Sequence, residues 1–236
     1  MNVIISWLCK IILKFPVDSF LVKDVKGKDN VPKKGNFIVA ANHQSHLDHI
    51  ATGYVCVPRK YHYLGQTDRY HGFTKAFLYT LYFIFGVIPV NREKQDSRRK
   101  AAEKSIEVLK NGACLVIYPE GTRSRSGEIQ EGKCGVAKIY FKTGVPILPV
   151  GIKGTFELMP AGKAFPKIKR EVEINIGKPL YFEKEFFEAK KLDENSKEHE
   201  NLCQNITDKV MEEIAQLAGK NNNASGDISH YVRNIK

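Results

Sequence analysis

Residues 37–54 read FIVAANHQSHLDHIATGY, and this stretch decides the fold of the chain. Its first five residues, Phe37–Ala41, form a continuous apolar run, which is typical of a strand buried on both faces of a sheet. Ser45–Asp48 then resembles a capping box with Asp in place of Glu, and it predicts a helix that continues to Tyr54. A buried strand, a polar turn and a helix in succession indicate an α/β fold.

The same alternation of apolar strands and amphipathic helices continues along the chain. The predicted strands are Lys60–Gly65, Val87–Val90, Ala113–Tyr118, Val145–Ile152 and Arg170–Ile176. The predicted helices are residues 97–110, Val136–Lys142, Ser196–Ala218 and an aromatic-rich segment, Phe73–Phe85, that is either buried or faces a membrane. We therefore expect a single α/β domain whose central sheet is largely parallel or mixed and is flanked by helices. Two prolines in Val145–Ile152 favour an edge position or irregular pairing for that strand.

The composition excludes several classes of protein. With 236 residues, of which 42% are hydrophobic and 27% charged, the chain has the composition of a folded globular protein. Its five cysteines are odd in number and never spaced C-x-x-C, which argues against a disulfide framework and a zinc knuckle. The 37 Lys and Arg residues outnumber the 26 Asp and Glu residues, so the net charge is +11. That charge leaves nucleic acid, an anionic membrane and phosphorylated substrates open as partners.

The N-terminal segment, residues 1–34, predicts a contact with a membrane surface. Residues 3–13 are apolar and include Trp7, but they are fewer than the roughly 20 residues that a spanning helix needs. Six lysines follow, from Lys14 to Lys34. A short apolar helix followed by lysines is typical of an interfacial anchor on an anionic leaflet. The alternative is a first helix that packs on the core and leaves its lysines in solvent.

The remaining chain divides into a main domain, residues 35–219, and a polar tail, residues 220–236, that we expect to be loose. In α/β sheets, functional groups lie in loops beyond the carboxyl ends of strands. Three polar sequences occupy such positions: Asn42–Asp48, Asn91–Arg92 and Glu120–Arg125. These loops therefore hold the candidate site residues.

The first loop carries a histidine and an aspartate five residues apart. The carboxylate of Asp48 can fold back to accept a hydrogen bond from one imidazole nitrogen of His43, which leaves the other nitrogen as a general base, as in acyl-transfer enzymes. The alternative is that Asp48 only caps the helix and His43 is an ordinary loop residue. A metal site is not expected, because His43, His46 and His49 recur every three residues and the first and third lie about 240° apart around a helix.

A second group of residues favours an anion site. Residues 118–127 read YPEGTRSRSG, in which Gly121 permits backbone angles that expose amide N–H groups and Arg123 presents a planar fork suited to phosphate. Arg92 and Lys133 add charge if their loops converge on this segment. The alternative is a solvated, arginine-rich surface turn. The pattern alone does not distinguish a phosphomonoester from a nucleic-acid backbone.

Four short blocks of sequence resemble, in order, the signature blocks of the glycerolipid acyltransferases, and most nearly those of the bacterial 1-acyl-sn-glycerol-3-phosphate (lysophosphatidate) acyltransferases. The blocks are NHQSHLD (42–48), GVIPVNR (86–92), YPEGTRS (118–124) and VPILPV (145–150). The likeness covers residues 34–155 and marks residues 35–219 as an acyltransferase domain. The chain departs from the family pattern at Pro89 and Tyr118, since both positions often or usually hold Phe.

The resemblance implies a role for each candidate residue. His43 would be the catalytic base, with Asp48 as its partner. The residues expected to bind the acceptor's phosphate are Arg92, Glu120, Gly121, Thr122, Arg123 and Lys133. Of these, Thr122 enters through its hydroxyl group alone, and not through the resemblance. No metal and no organic cofactor is implied.

The implied reaction moves a fatty acyl group from a thioester, acyl-CoA or acyl carrier protein, to the free hydroxyl of lysophosphatidate, forming phosphatidate in phospholipid biosynthesis. It implies an enzyme held peripherally or monotopically at the cytoplasmic face of a membrane, with no nucleic-acid partner. Another lysophospholipid or glycerol 3-phosphate remains open as the acceptor. The rival functions are a lipid or thioester hydrolase, in which water replaces the alcohol, and a basic nucleic-acid-binding protein.

Overall fold

The computed structural model describes residues 3–68, 79, 82, 86–163 and 165–220. Most of the predicted helix Phe73–Phe85, and the predicted tail beyond Lys220, lie outside these residues. The predicted domain boundaries at residues 34 and 219 stay predictions.

The described residues form helices and strands that alternate along the chain. The helices are α1 (Val3–Phe20), α2 (Asp48–Cys56), α3 (Gln95–Lys110), α4 (Gly135–Thr143), α5 (Thr155–Leu158), α6 (Glu183–Ala189) and α7 (Lys197–Leu217). The strands are β1 (Val22–Lys26), β2 (Ile38–Ala41), β3 (Tyr61–Gln66), β4 (Val87–Val90), β5 (Cys114–Ile117), β6 (Ile147–Lys153) and β7 (Val172–Ile176), and a 3₁₀ helix occupies Lys28–Asn30. Of these elements, the sequence patterns did not predict β1, the 3₁₀ helix, α5 or α6, which are all short.

The strands form one sheet of seven in the order β1-β7-β6-β2-β5-β3-β4. All neighbouring strands are parallel except β6 and β7, which are antiparallel, so the expected mixed sheet is confirmed. The quoted strand β2 lies in the middle, where Ile38 stands opposite Leu115 of β5 and Ile147 of β6. Its carboxyl end therefore leaves the sheet between two other strand ends, which is where α/β folds place their sites.

Helices cover both faces of the sheet, and they form one apolar core on each face. Alternate residues of β2 therefore belong to different cores. Ile38 and Ala40 pack with α3, α4 and α7 on one face. Val39 and Ala41 pack with α2 and with Val17 of α1 on the other. Both faces of this strand are fully buried, so it reads as an unbroken apolar run. We call the face that carries α1 and α2 the α2 face of the sheet.

Of the two alternatives expected for the proline-containing strand, the edge position is wrong, since β6 lies between β7 and β2. The irregular pairing is confirmed, since the bridge of Ile147 with Leu180 is one residue out of register with the pair Val150 and Ile176. The carbonyl of Pro149 accepts a hydrogen bond from the N–H of Gly177 at 2.9 Å, and pairing with β7 begins one residue later, where Val150 stands opposite Ile176. The nitrogen and carbonyl of one strand residue point to the same side. The missing N–H of Pro149 therefore faces Gly177, and the hydrogen bond that it cannot donate lies just beyond the end of the β6–β7 ladder. The other proline, Pro146, precedes the strand.

The N-terminal helix α1 is longer than the apolar run at residues 3–13 and contains Pro16. Among the side chains of α1 whose exposure is described, Ile11, Ile12 and Phe15 are 63–75% exposed. Within the described parts of the chain, no helix has the length and apolar character that crossing a membrane requires.

Candidate functional site

Asp48 begins α2 and accepts hydrogen bonds at both carboxylate oxygens. Oδ2 accepts from Nδ1 of His43 at 2.9 Å and from the backbone N–H groups of Gln44 and Ser45 at 2.7 Å each. Oδ1 accepts from the hydroxyl of Thr155, which opens α5, at 2.6 Å. The side chain is fully buried, and four donors fill the acceptor sites of its carboxylate. Residues 42–48, which we call the histidine turn, are therefore fixed by internal hydrogen bonds.

The expected capping box forms only by half. The carboxylate of Asp48 accepts a hydrogen bond from the N–H of Ser45, as the motif requires. The hydroxyl of Ser45, however, donates to the carbonyl of Met159 at 2.7 Å, and Ser45 also forms a β-bridge with Pro160. The start of α2 is thus tied to the segment that follows α5.

His43 presents one nitrogen to Asp48 and the other to a cavity. Its ring lies flat against that of Tyr118, with centroids 3.9 Å apart and planes 13° apart, and 12% of its side chain is exposed. Because the carboxylate accepts at Nδ1, we assign the proton of the neutral ring to Nδ1 and the lone pair to Nε2. The basic nitrogen is therefore the one that faces the cavity, whose lining includes His43.

Residues 118–127, which we call the arginine loop, hold the backbone of His43 on both sides. Its N–H donates to Oε1 of Glu120 at 2.7 Å, and its carbonyl accepts from the N–H of Ser124 at 2.8 Å. Oε2 of Glu120 accepts from the N–H of Gln130 at 3.0 Å. Burial raises the pKa of Glu120 to about 7, although both N–H donors favour its charged form. With both oxygens engaged, Glu120 joins the loop to the histidine turn and does not line the cavity.

Tyr118 connects the ring of His43 to a buried hydrogen-bond network. Its hydroxyl lies 3.1 Å from Nδ1 of His49 and 3.1 Å from the hydroxyl of Thr52. Thr52 donates its own proton to the carbonyl of Asp48 at 2.9 Å, so we assign Tyr118 as donor to Thr52 and acceptor from His49. Burial lowers the pKa of His49 to about 4, and its ring is therefore neutral near pH 7.

The histidines at positions 43, 46 and 49 do not converge on a metal site. Nδ1 of His43 is bonded to Asp48 and Nδ1 of His49 to Tyr118, while His46 is exposed. In the described ranges, no three His, Cys, Asp or Glu side chains are placed to hold a metal ion together.

Arg92 reaches the arginine loop from the end of β4. Its Nη1 donates to the carbonyl of Gly121 at 3.1 Å, while Nε and Nη2 donate to the carboxylate of Asp68 at 3.2 and 2.7 Å. The guanidinium lowers the pKa of Asp68 through these hydrogen bonds. Asp68 follows β3, the parallel neighbour of β4, so the pair comes from the carboxyl ends of adjacent strands. Three of the five N–H donors of Arg92 are engaged in this way.

The other predicted phosphate ligands divide between the cavity and its outer side. Gly121, Thr122 and Arg123 line the cavity. Partial desolvation at the cavity wall lowers the pKa of His46, although its side chain is exposed, and the positive charge of Arg123 lowers it further. Lys133 is exposed outside the lining, and its amine lies 3.2 Å from where a Cβ on Gly121 would stand. Gly121 has a φ of 71°, which glycine adopts without strain.

A cavity of about 1170 Å³ on the α2 face joins these groups. At one part of its wall lie His43, Arg92 and Arg123. Much of the remaining wall is aliphatic or aromatic and includes Val17, Val25, Val31, Ile50, Tyr54 and Tyr63. The imidazole and the guanidinium that the sequence paired thus share one cleft, whose other walls suit an apolar chain.

Several residues that support the site were missed in the sequence. Thr155 donates to Asp48 across 107 positions, and nothing in the sequence marks it. Asp68 follows a predicted strand, so its position beyond a carboxyl end was a usable signal. Thr52 and His49 belong to the predicted helix α2, but the network through Tyr118 depends on packing between helix and strand.

Comparison with known proteins places the chain in a family. The sequence model of a family described as Acyltransferase matches residues 23–153, more than half of the chain. The chain belongs to this acyltransferase family. The match includes every residue of the acyltransferase that the sequence proposed for the site, from His43 to Lys133.

Curated relatives of this acyltransferase carry a common name, 1-acyl-sn-glycerol-3-phosphate acyltransferase. The chloroplastic protein of Brassica napus is 29% identical over 74% of this chain and 50% of its own length. The Borreliella burgdorferi protein is 30% identical over 82% of this chain and 72% of its own. The chain spans about half the length of the plant relatives it matches.

A solved structure has the same fold as this acyltransferase. The crystal structure of the 1-acyl-sn-glycerophosphate acyltransferase from Thermotoga maritima is 29% identical in sequence and superposes with a TM-score of 0.57. The match covers 85% of this chain and 74% of that one.

Proposed function

We propose that this acyltransferase moves a fatty acyl group from a thioester donor to the free hydroxyl of lysophosphatidate, forming phosphatidate. The names of its relatives support this acceptor. The single observation that carries the proposal is the shared cavity of His43 and Arg123, because the acceptor must bring a hydroxyl to a base while its phosphate is held by cations.

In the proposed reaction, Nε2 of His43 removes the proton of the acceptor hydroxyl as the oxygen attacks the thioester carbonyl. The tetrahedral intermediate collapses by breaking the carbon–sulfur bond, and the imidazolium returns its proton to the leaving thiolate. Asp48 holds the ring in orientation through the 2.9 Å bond at Nδ1 and stabilises its positive charge. Positioned acid–base help of this kind contributes on the order of 10²–10⁴-fold.

The proposed phosphate site combines a guanidinium with the open part of the arginine loop. Arg123 and the hydroxyl of Thr122 face the cavity, and Arg92 is held against the loop by Asp68. Arginine suits this role because its planar fork binds phosphate oxygens in pairs. Glu120 supports the site indirectly in this proposal, since its oxygens hold backbone N–H groups of the histidine turn and of Gln130.

The apolar wall of the cavity is the proposed place of an acyl chain. Val17, Ile50 and Tyr54 contribute to it, and no charge is needed for that role. The proposal requires neither a metal nor an organic cofactor, since the thioester, from acyl-CoA or acyl carrier protein, already activates the carbonyl. We also propose that the enzyme works while bound to the cytoplasmic face of a membrane through α1.

A panel of acceptors and donors tests this proposal. The purified protein is incubated with lysophosphatidate, glycerol 3-phosphate or other lysophospholipids and with labelled acyl-CoA or acyl carrier protein thioester, and products are identified by mass. We expect phosphatidate as the main product. Release of free fatty acid at the same rate with and without lysophosphatidate contradicts the proposal and indicates a hydrolase.

A further inference from the structure

A second exposed apolar surface lies outside the cavity, in residues 163–170, which we call the basic loop. It reads KAFPKIKR, with four cationic residues and no acidic one. Its two large apolar side chains are the most exposed of their kind in the described residues: Phe165 is 87% exposed and Ile168 is 80% exposed. Placing both in water is unfavourable, by about 25 cal/mol per Å² of apolar surface, and such exposure indicates an interaction surface.

The chemistry of the basic loop fits an anionic lipid surface. Phe165 and Ile168 alternate with Lys163, Lys167 and Lys169, and Arg170 follows. An apolar side chain between lysines can enter the acyl boundary of a bilayer while the lysines stay among the headgroups. One of the lysines, Lys169, is paired with Glu171, so the loop keeps most of its positive charge uncompensated by neighbours of opposite sign.

The basic loop is attached to the elements that form the site. The N–H of Lys167 donates to the carbonyl of Leu158 at 2.9 Å, and Leu158 ends α5, whose first residue Thr155 bonds Asp48. The carbonyl of the next residue, Met159, accepts a hydrogen bond from the hydroxyl of Ser45 in the histidine turn. The loop is therefore linked to the histidine turn indirectly, through α5 and Met159.

The other end of the basic loop is attached to the strand that follows α1. Nε of Arg170 donates to the carbonyl of Val22 at 2.8 Å, and the N–H of Val172 donates to the carbonyl of Leu21 at 3.0 Å. The last residue of α1, Phe20, directly precedes this contact and is 57% exposed. The end of the basic loop is therefore attached next to the C-terminal end of α1.

The exposed surface of α1 also borders the cavity. Trp7, Ile11 and Phe15 recur every four residues, which places them along one stripe of the helix. Lys14 and Val17 of the same helix line the cavity. The helix and the basic loop are thus both connected to the cavity, one through its wall and the other through the histidine turn.

We propose that the basic loop is a second membrane-docking element, which binds anionic phospholipid together with α1 and holds the cavity at the lipid surface. The inference deepens the proposed function, since it names the residues that deliver a membrane-borne acceptor to the site. A lipid surface is the occupant because Phe165 and Ile168 project among the cations; an acidic protein partner would be bound by the cations without them.

Vesicle flotation with the full chain and no substrate tests the proposal. The vesicles are phosphatidylcholine alone or phosphatidylcholine with about 30% phosphatidylglycerol, which supplies a negative surface charge. The double variant F165S/I168S is expected to bind anionic vesicles on the order of tenfold more weakly. The matched control is Y181S/F187S, which removes two apolar side chains that are each 60% exposed. Phe187 lies on α6, beside the core of the other sheet face. The control should bind like the wild type.

A charge variant separates the two contributions to docking. K163Q/K167Q/K169Q should lose about fivefold in anionic-vesicle binding per lysine, and its binding to neutral vesicles should be unchanged. Unchanged anionic-vesicle binding in both loop variants overturns the proposal. So does a loss confined to turnover with acyl carrier protein thioester, because that result assigns the loop to a protein partner.

The readouts distinguish this inference from the proposed function. Flotation requires no turnover, so an inactive protein can still dock. In detergent micelles that present lysophosphatidate, the loop variants should transfer acyl groups at the wild-type rate, because no loop residue lines the cavity. A loss of transfer in micelles equal to the loss on vesicles also overturns the docking role.

Discussion

The histidine turn and the arginine loop are joined by hydrogen bonds, but their charged side chains differ in burial. In the turn, Asp48 and Ser45 are fully buried and all their oxygens have partners within the protein. In the loop, Arg125 is exposed and Arg123 is half-buried at the cavity. The turn thus consists of buried polar groups bonded within the protein, whereas the loop places the guanidinium of Arg123 in the wall of the cavity.

The difference follows from what each region is proposed to do. A base must hold its lone pair in one direction, and burying its partner in a complete network fixes that direction. A phosphate is an anion with several acceptor oxygens, so its proposed site needs cationic side chains that reach the cavity, as Arg123 does. Glu120 combines features of both regions. It is part of the arginine loop in the sequence, but its carboxylate accepts a hydrogen bond from the histidine turn.

Removal of the proposed base has the largest expected effect. His43→Ala should lower kcat about a thousandfold, because the positioned base that takes the hydroxyl proton is lost. The free energy of unfolding should change little, since Asp48 keeps three of its four donors. Steady-state kinetics and urea unfolding measure the two quantities. Transfer within tenfold of wild type, in a protein of normal stability, would exclude His43 as the base.

Titration of Glu120 is expected to affect stability strongly. Burial raises its pKa to about 7 in the folded state, above the usual value of 4.5, so the folded state holds a proton that the unfolded state has lost between these pH values. This site's contribution therefore falls as pH rises from about 4.5 to 7, by about 3 kcal/mol in total. Urea unfolding of the wild type and Glu120→Gln across that range measures it.

The matched variant isolates that effect from the rest of the protein. The low pKa of His49 and that of His62, both caused by burial, act in the opposite direction but are common to the two proteins. Only the difference between the two pH profiles therefore reports Glu120. Parallel profiles would mean that Glu120 titrates as it does in the unfolded chain.

Loss of the cavity-facing guanidinium should weaken acceptor binding. Arg123→Ala is expected to raise KM for lysophosphatidate on the order of tenfold to a hundredfold, with a smaller change in kcat, since hydrogen bonds to charged groups contribute about 1.5–3 kcal/mol. Arg125→Ala is the control, because Arg125 is exposed and does not line the cavity. Equal effects of the two variants would indicate general charge attraction and no defined phosphate site.

The smallest effect is expected for a substitution of Tyr118, one of the two positions at which the sequence departs from the family pattern. Tyr118→Phe keeps the ring that stacks on His43 but leaves His49 and Thr52 without their hydroxyl partner. We expect a loss of about 1–2 kcal/mol in unfolding free energy and a kcat within about threefold of wild type. A large fall in kcat with unchanged stability would assign the hydroxyl a direct part in the reaction.

Much of the fold and of the proposed site could be predicted because the informative patterns are local. Apolar runs such as Phe37–Ala41 predict buried strands wherever they lie in the chain, and β2 occupies the centre of the sheet. The position of Pro149 could not be predicted. A proline inside a sheet is tolerated only if its missing N–H meets the end of a neighbouring strand, and that depends on where β7 stops.

The roles of two charged residues also depended on contacts that the sequence does not contain. Glu120 belongs to a loop expected to hold phosphate, but its oxygens are taken by N–H groups that only the folded chain brings within 3.0 Å. Arg92 was expected to add free charge, and Asp68 pairs with it from a neighbouring strand. The number of charged residues can be read from a sequence. Which of them form ion pairs depends on their positions in the folded structure.

Taken alone, the amino-acid sequence determined the alternation of strands and helices, the family, and the pairing of His43 with Asp48, because each rests on residues a few positions apart. The tertiary structure decided which groups share a cavity and which groups form the hydrogen bonds that support it. It also decided where the basic loop is attached beside α1. Those outcomes depend on residues far apart in the sequence, from Asp68 and Arg92 at a separation of 24 to His43 and Glu120 at a separation of 77. Their proximity arises only when sheet pairing brings the carboxyl ends of β2 and β5 together.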